Sequence, residues 1–132
     1  MGAEPWDYFV PYEEDIDAAL QKLRRREFEA GRFHRSELKP TTIEEALENA
    51  DADGTRSILD IATVSDSPEF CAVSPLPEER LRDLYDTEQP TREMIEENMD
   101  FFEEIERGQG IYIIVYKGAK PSEIFFAGYS FD

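Results

Sequence analysis

The sequence predicts an α+β domain: a mainly antiparallel sheet of four or five strands, with a C-terminal hairpin at its centre, packed against three or four helices. Three observations carry that expectation. Short aromatic and β-branched runs alternate with stretches of helical period. The last third of the chain holds two apolar runs, residues 111–116 and 124–129, on either side of Lys117-Gly118-Ala119-Lys120-Pro121-Ser122. Both runs are apolar on both faces, so they belong inside the sheet, covered on each side by helices or by a second copy.

The elements follow in order. Residues 6–10, Trp-Asp-Tyr-Phe-Val, end at Pro11 and read as a first strand. From Glu13 the period becomes helical, with Ile16, Ala19, Leu20 and Leu23 on one face. Acids crowd the start of that helix and Arg24, Arg25 and Arg26 its later part, an order that complements the helix dipole, and Gly31 supplies a stop. Thr42 and Glu45 form a capping box for a short helix with Ile43, Ala46, Leu47 and Ala50 on its apolar stripe. Residues 57–65 read as a strand, Asp66-Ser67-Pro68 as a turn, and residues 70–73 as its returning partner. Ser74-Pro75-Leu76-Pro77 opens a brief helix carrying Leu81, Leu84 and Tyr85, which Pro90 ends. Thr91 caps a longer helix with Met94, Ile95, Met99, Phe102 and Ile105 inward, stopped by Gly108.

A length of 132 residues fits one domain over residues 1–132, with 40% hydrophobic and 12% aromatic residues to build its core. Cys71 is the one cysteine, so no internal disulfide forms, which suits a reducing compartment. The N-terminus lacks a basic and an apolar region of the secretory kind, and the longest apolar run, Ile111 to Tyr116, is far too short to span a bilayer. The expected location is the cytoplasm, with no membrane contact.

Few chemical motifs survive inspection. Asn49, Asp51, Asp53, Gly54 and Asp60 fall at positions 1, 3, 5, 6 and 12 of a calcium-loop-like run. The last ligand is the shorter Asp, position 8 is Arg56, and the exit reads as a strand, so a polar turn accounts for the segment. One His, His34, and one Cys fall short of a zinc site. Gly108 and Gly110 precede a strand, whereas a dinucleotide fingerprint follows one and opens a helix. No cofactor is expected.

Charge is the outlier: 31 acids against 14 bases give −17. It divides as −6 over residues 1–21, +4 over 22–39, −15 over 40–109 and 0 over 110–132. A basic island runs from Lys22 through Arg24, Arg25, Arg26, Arg32 and Arg35 to Lys39, but the overall charge would repel nucleic acid. The expected function is a protein-binding or regulatory module that docks a basic protein, in the manner of an inhibitor or immunity protein. The candidate docking residues are Glu78, Glu79, Asp83, Asp86, Glu93, Glu96, Glu97, Asp100, Glu103 and Glu104. A cofactor-free enzyme using carboxylates is the alternative, and a homodimer through an apolar sheet face would also cover the hairpin.

Overall fold

A computed structural model describes residues 5–30, 42–43 and 58–129. Its elements are β1 (Pro5–Pro11), α1 (Ile16–Ala30), a 3-10 turn (Ile58–Asp60), β2 (Thr63–Val64) and β3 (Ala72–Pro75). These are followed by α2 (Glu78–Tyr85), α3 (Arg92–Glu97), a 3-10 segment (Asp100–Glu104), β4 (Gly110–Lys117) and β5 (Lys120–Tyr129). The five strands form one sheet in the order β1-β5-β4-β3-β2. The hairpin is central, as its two-faced apolar sequence requires.

The sheet is mixed. β1 pairs with β5 and β5 with β4 antiparallel, whereas β4–β3 and β3–β2 are parallel. The expectation of a returning antiparallel partner for the strand over residues 57–65 therefore fails. Most of that stretch is the 3-10 turn and its exit, and only Thr63 and Val64 pair, alongside Ala72 and Val73. Parallel connections usually need a dozen residues or more, but two-residue strands need the chain to travel back only about 7 Å. Cys71, at φ 63°, makes that return: its N–H donates to Gly108 C=O at 2.7 Å and its C=O accepts from Ala62 N–H at 2.8 Å.

The hairpin is tighter than the six-residue connection expected. Gly118 (φ 60°) and Ala119 (φ 63°) form a two-residue turn with both residues left-handed, a twist that matches antiparallel strands. Register then slips between Val115 and Tyr116, which places Pro121 beside the irregularity rather than inside a regular ladder.

Each face of the sheet carries its own core. On one side, α1 and residues 58–61 pack Leu20, Leu23, Ile58 and Ile61 against Trp6, Val10, Ile124 and Phe126. On the other, Leu81, Tyr85, Ile95 and Phe101 cover Ile111, Ile113, Val115 and Phe125. Trp6 explains two glycines. A Cβ on Gly110 would come within 2.8 Å of its ring, and one on Gly128 would meet the ring and Gln109 C=O, so both positions need the bare backbone.

The helices depart from the sequence expectation in instructive ways. α1 begins at Ile16, not Glu13, because Asp15 accepts Ala18 N–H at 3.1 Å and acts as its cap. It runs on to Ala30, so the three arginines sit mid-helix and its last turn has no base to answer the dipole. Ala72–Pro75 is strand, and Pro77 stands just before the first turn of α2. The long helix expected from Thr91 to Gly108 is broken at Asn98, which adopts an extended conformation. Thr91 does cap α3, accepting Met94 N–H at 3.3 Å. Asn98 is pulled out of helical geometry by three bonds: its amide donates to Leu84 C=O at 3.2 Å, its C=O accepts the Tyr85 hydroxyl at 2.7 Å, and its side-chain oxygen accepts Asp100 N–H at 3.1 Å. The expected stop at Gly31 and the capping box at Thr42 and Glu45 lie outside the described residues in whole or in part.

Candidate docking surface

The helical layer made by α2, α3 and residues 100–104 buries Leu81, Tyr85, Ile95 and Phe101 on the sheet and turns its acids outward, and with them Met94, which was expected inward but is exposed because α3 ends before the stripe can continue. Residues 76–107 hold twelve acids against four arginines. All ten candidate docking residues, Glu78, Glu79, Asp83, Asp86, Glu93, Glu96, Glu97, Asp100, Glu103 and Glu104, are exposed. The topology thus gathers them on one side of the sheet, because α2 and α3 pack on the same face.

Cations thread this surface without neutralising it. Arg80 bridges two elements, its Nε donating to Glu104 at 2.9 Å and its Nη1 to Asp83 at 3.1 Å. The hydrogen bond to Glu104 holds the guanidinium above its ordinary pKa. Arg82 pairs with Glu88 at 3.1 Å. Arg92 reaches Glu96 and Glu123 and stacks over the Phe9 ring at 4.2 Å, tying α3 to the hairpin and to β1. Among the described residues, Glu78, Glu79, Asp86, Glu93, Glu97, Asp100 and Glu103 join no ion pair.

The anchor beneath these acids is Tyr85. Burial, and then the charge of Asp100, push its hydroxyl up to about 12, so it stays protonated and donates to Asn98 C=O. This bond fixes the turn at which α3 gives way to the 3-10 segment.

Among the described residues, open clefts border the sheet. One of about 540 Å³ lies between the end of β3 and β4, lined among others by Glu78, Leu81, Glu88, Tyr112, Ile114 and Tyr116. Burial, and then Asp66, raise the pKa of Tyr112. A second, of about 590 Å³, mixes Arg92 and Lys117 with Glu93, Glu96 and Glu123 near the hairpin tip. A third, of about 460 Å³, lies between β1 and α1 beside Lys22 and Arg26. Asp7, whose carboxyl burial pushes up, sits on β1 and is not in the lining of these clefts.

The other sequence candidates fall elsewhere. Asn49, Asp51 and Asp53 lie outside the described residues, as does the side chain of Asp60, whose backbone closes the 3-10 turn. Among the described residues, no group of three or more His, Cys, Asp or Glu could hold a metal ion. Cys71 is half-buried at the bend before β3, and His34 is outside the described residues. Of the basic island, Lys22 pairs with Glu13 at 2.8 Å and Arg26 with the buried Glu27 at 3.0 Å. Arg24 donates to Gln21 and to Leu59 C=O. Lys22, Arg24 and Arg26 thus engage their own surroundings, on the face opposite the acidic helices, and Arg32, Arg35 and Lys39 lie outside the described residues. No described helix is long and apolar enough to cross a membrane.

Sequence reading missed Glu88, Tyr112, Ile114 and Tyr116 as neighbours. Glu88 belongs to the same acidic run, but nothing in the pattern of β4 signals which of its residues lack a neighbouring strand. That depends on where β3 stops. No protein-family model, no curated protein and no solved structure matches the chain.

Proposed function

We propose that this protein is a docking module for a basic partner protein, in its most specific form an inhibitor or immunity protein, and that the helical layer of α2, α3 and residues 100–104 is its contact face. One observation carries the reading: seven exposed carboxylates without ion-pair partners among the described residues share one side of the sheet. Each is an exposed charge available to an incoming cation, and together they create a field that steers a basic protein at long range. The surface Arg–carboxylate pairs hold the helices in place and cost the field little, because four arginines leave a net −8 over residues 76–107.

The test is capture from the native cell lysate at low and at high salt. The wild type is compared with a variant in which Glu78, Glu79, Glu93, Glu97 and Glu103 become Gln. A basic partner retained by the wild type at low salt, and lost both at high salt and by the variant, fits the proposal. A partner held equally by both proteins, or none at either salt, rejects it.

A further inference from the structure

The 540 Å³ cleft is a gap in the sheet itself. β3 accompanies β4 only from Gly110 to Tyr112, and the last contact is Leu76 N–H donating to Tyr112 C=O at 3.1 Å. Pro75 and Pro77 flank Leu76 and turn the chain away into α2. The chain returns at Pro90, whose C=O accepts Tyr116 N–H at 2.9 Å. Main-chain groups of a strand alternate sides, so Ile114, two residues from both Tyr112 and Tyr116, aims its N–H and C=O into the same gap. Among the described residues neither group has a main-chain partner across that gap. From Tyr112 to Tyr116 the opening is about 13 Å long, room for three extended residues.

Its walls are chemically distinct. Glu78, without an ion-pair partner among the described residues, and Glu88, shared with Arg82, line the helical side. Tyr112 and Tyr116, half-buried, line the other. No cation is among the described lining residues.

We infer that this notch takes a short basic segment of the partner protein, presented by a terminus or a loop crossing the edge, whose main chain pairs with Ile114 while a Lys or Arg side chain meets Glu78. The inference rests on the docking reading and gives it a register. An extended residue opposite Ile114 can exchange two main-chain hydrogen bonds with it, the strand-addition mode of peptide recognition. The side chain opposite Ile114 then points with it to the side of Tyr112, and both of that residue's chain neighbours point to the helical side that carries Glu78 and Glu88.

The experiment is an NMR titration of the isotope-labelled protein at low salt with the capped peptide Val-Lys-Val-Lys-Val and with its twin N-methylated at the central residue. The twin keeps the charge but loses the main-chain donor. The inference expects Ile114 to show the largest amide shift, with its hydrogen exchange slowed on binding. N-methylation should weaken binding about tenfold, the effect of leaving one buried acceptor unpaired. Glu78→Gln should weaken the unmodified peptide several-fold. Equal binding of the two peptides, with shifts confined to the outer surfaces of α2 and α3, overturns insertion and leaves the docking reading standing. Absence of binding by either peptide overturns both. Concentration-dependent protection of Ile114 in the free protein would mean that a second copy fills the notch, which also overturns it.

Discussion

The outer edge of β1 and the notch beside β4 both leave main-chain groups of one sheet without a strand, yet they are finished in opposite ways. Trp6, Tyr8 and Val10 give their main-chain groups to β5, since Tyr12 N–H continues the same ladder to Ser122 C=O at 3.1 Å. The outward positions are therefore Pro5, Asp7, Phe9 and Pro11. Two of the four have no N–H and a third carries a carboxylate, devices that discourage another strand from adding to an edge. At the notch, prolines do the reverse. Pro75, Pro77 and Pro90 end or redirect the flanking chain and leave Ile114 open between them. The lesson is that an unguarded stretch stands out where the same sheet shows it can guard an edge.

Four perturbations would break or sharpen this contrast. The largest effect is expected from Phe101→Ala. Phe101 is fully buried, with its ring edge-on to Phe125 at 5.9 Å, and it pins the layer that frames the notch. Its loss should destabilise the fold by about 4 kcal/mol in denaturant unfolding. Hydrogen exchange should rise around α2 and α3 more than in β1, and a uniform rise would show that the two regions do not loosen separately.

Gly128→Val attacks the other edge. The added side chain collides with Trp6 and with Gln109 C=O, so β1 should loosen at a cost of about 3 kcal/mol. Trp6, the chain's one tryptophan, reports it directly through a red-shifted emission, and an unchanged spectrum would contradict the packing argument.

Tyr85→Phe removes one hydrogen bond and should cost about 1 kcal/mol near neutral pH. The sign of its pH effect follows from the raised pKa. The neutral hydroxyl is favoured in the fold, so its contribution is complete below the unfolded value of about 10 and fades as pH rises toward the folded value of about 12. The wild type should lose stability more steeply than the variant across that window, and parallel curves would refute the assignment.

The smallest energetic effect is expected from replacing Pro5 and Pro11 together by Thr, within about 0.5 kcal/mol for these exposed positions. The readout is association. Light scattering should detect concentration-dependent oligomers once the outer edge regains two donors, and a strictly monomeric variant would show that the prolines do not guard it.

The sequence by itself determined the α+β class, the first strand, the apolar stripes of α1 and α2, the Thr91 cap and the central hairpin, whereas of the stripe expected after Thr91 only Ile95 is buried within α3 and Met94 faces outward. These depend on local periodicity and on residues at fixed spacing, which neighbours in the chain supply. It also put the candidate acids in one run, and amphipathic packing was enough to leave them exposed. Tertiary structure decided the rest. The direction of β2 and β3 was settled by a left-handed bend at Cys71 and by partners near Gly108, far away in sequence. The helix from Thr91 was cut short because Asn98 found Leu84 and Tyr85, partners that no helical period reveals. Gly110 and Gly128, which resemble no phosphate motif, make way for Trp6, more than a hundred residues earlier. The notch at Ile114 was invisible for the same reason: a strand's sequence states which side chains are apolar, but only its neighbours decide which of its main-chain groups remain unpaired.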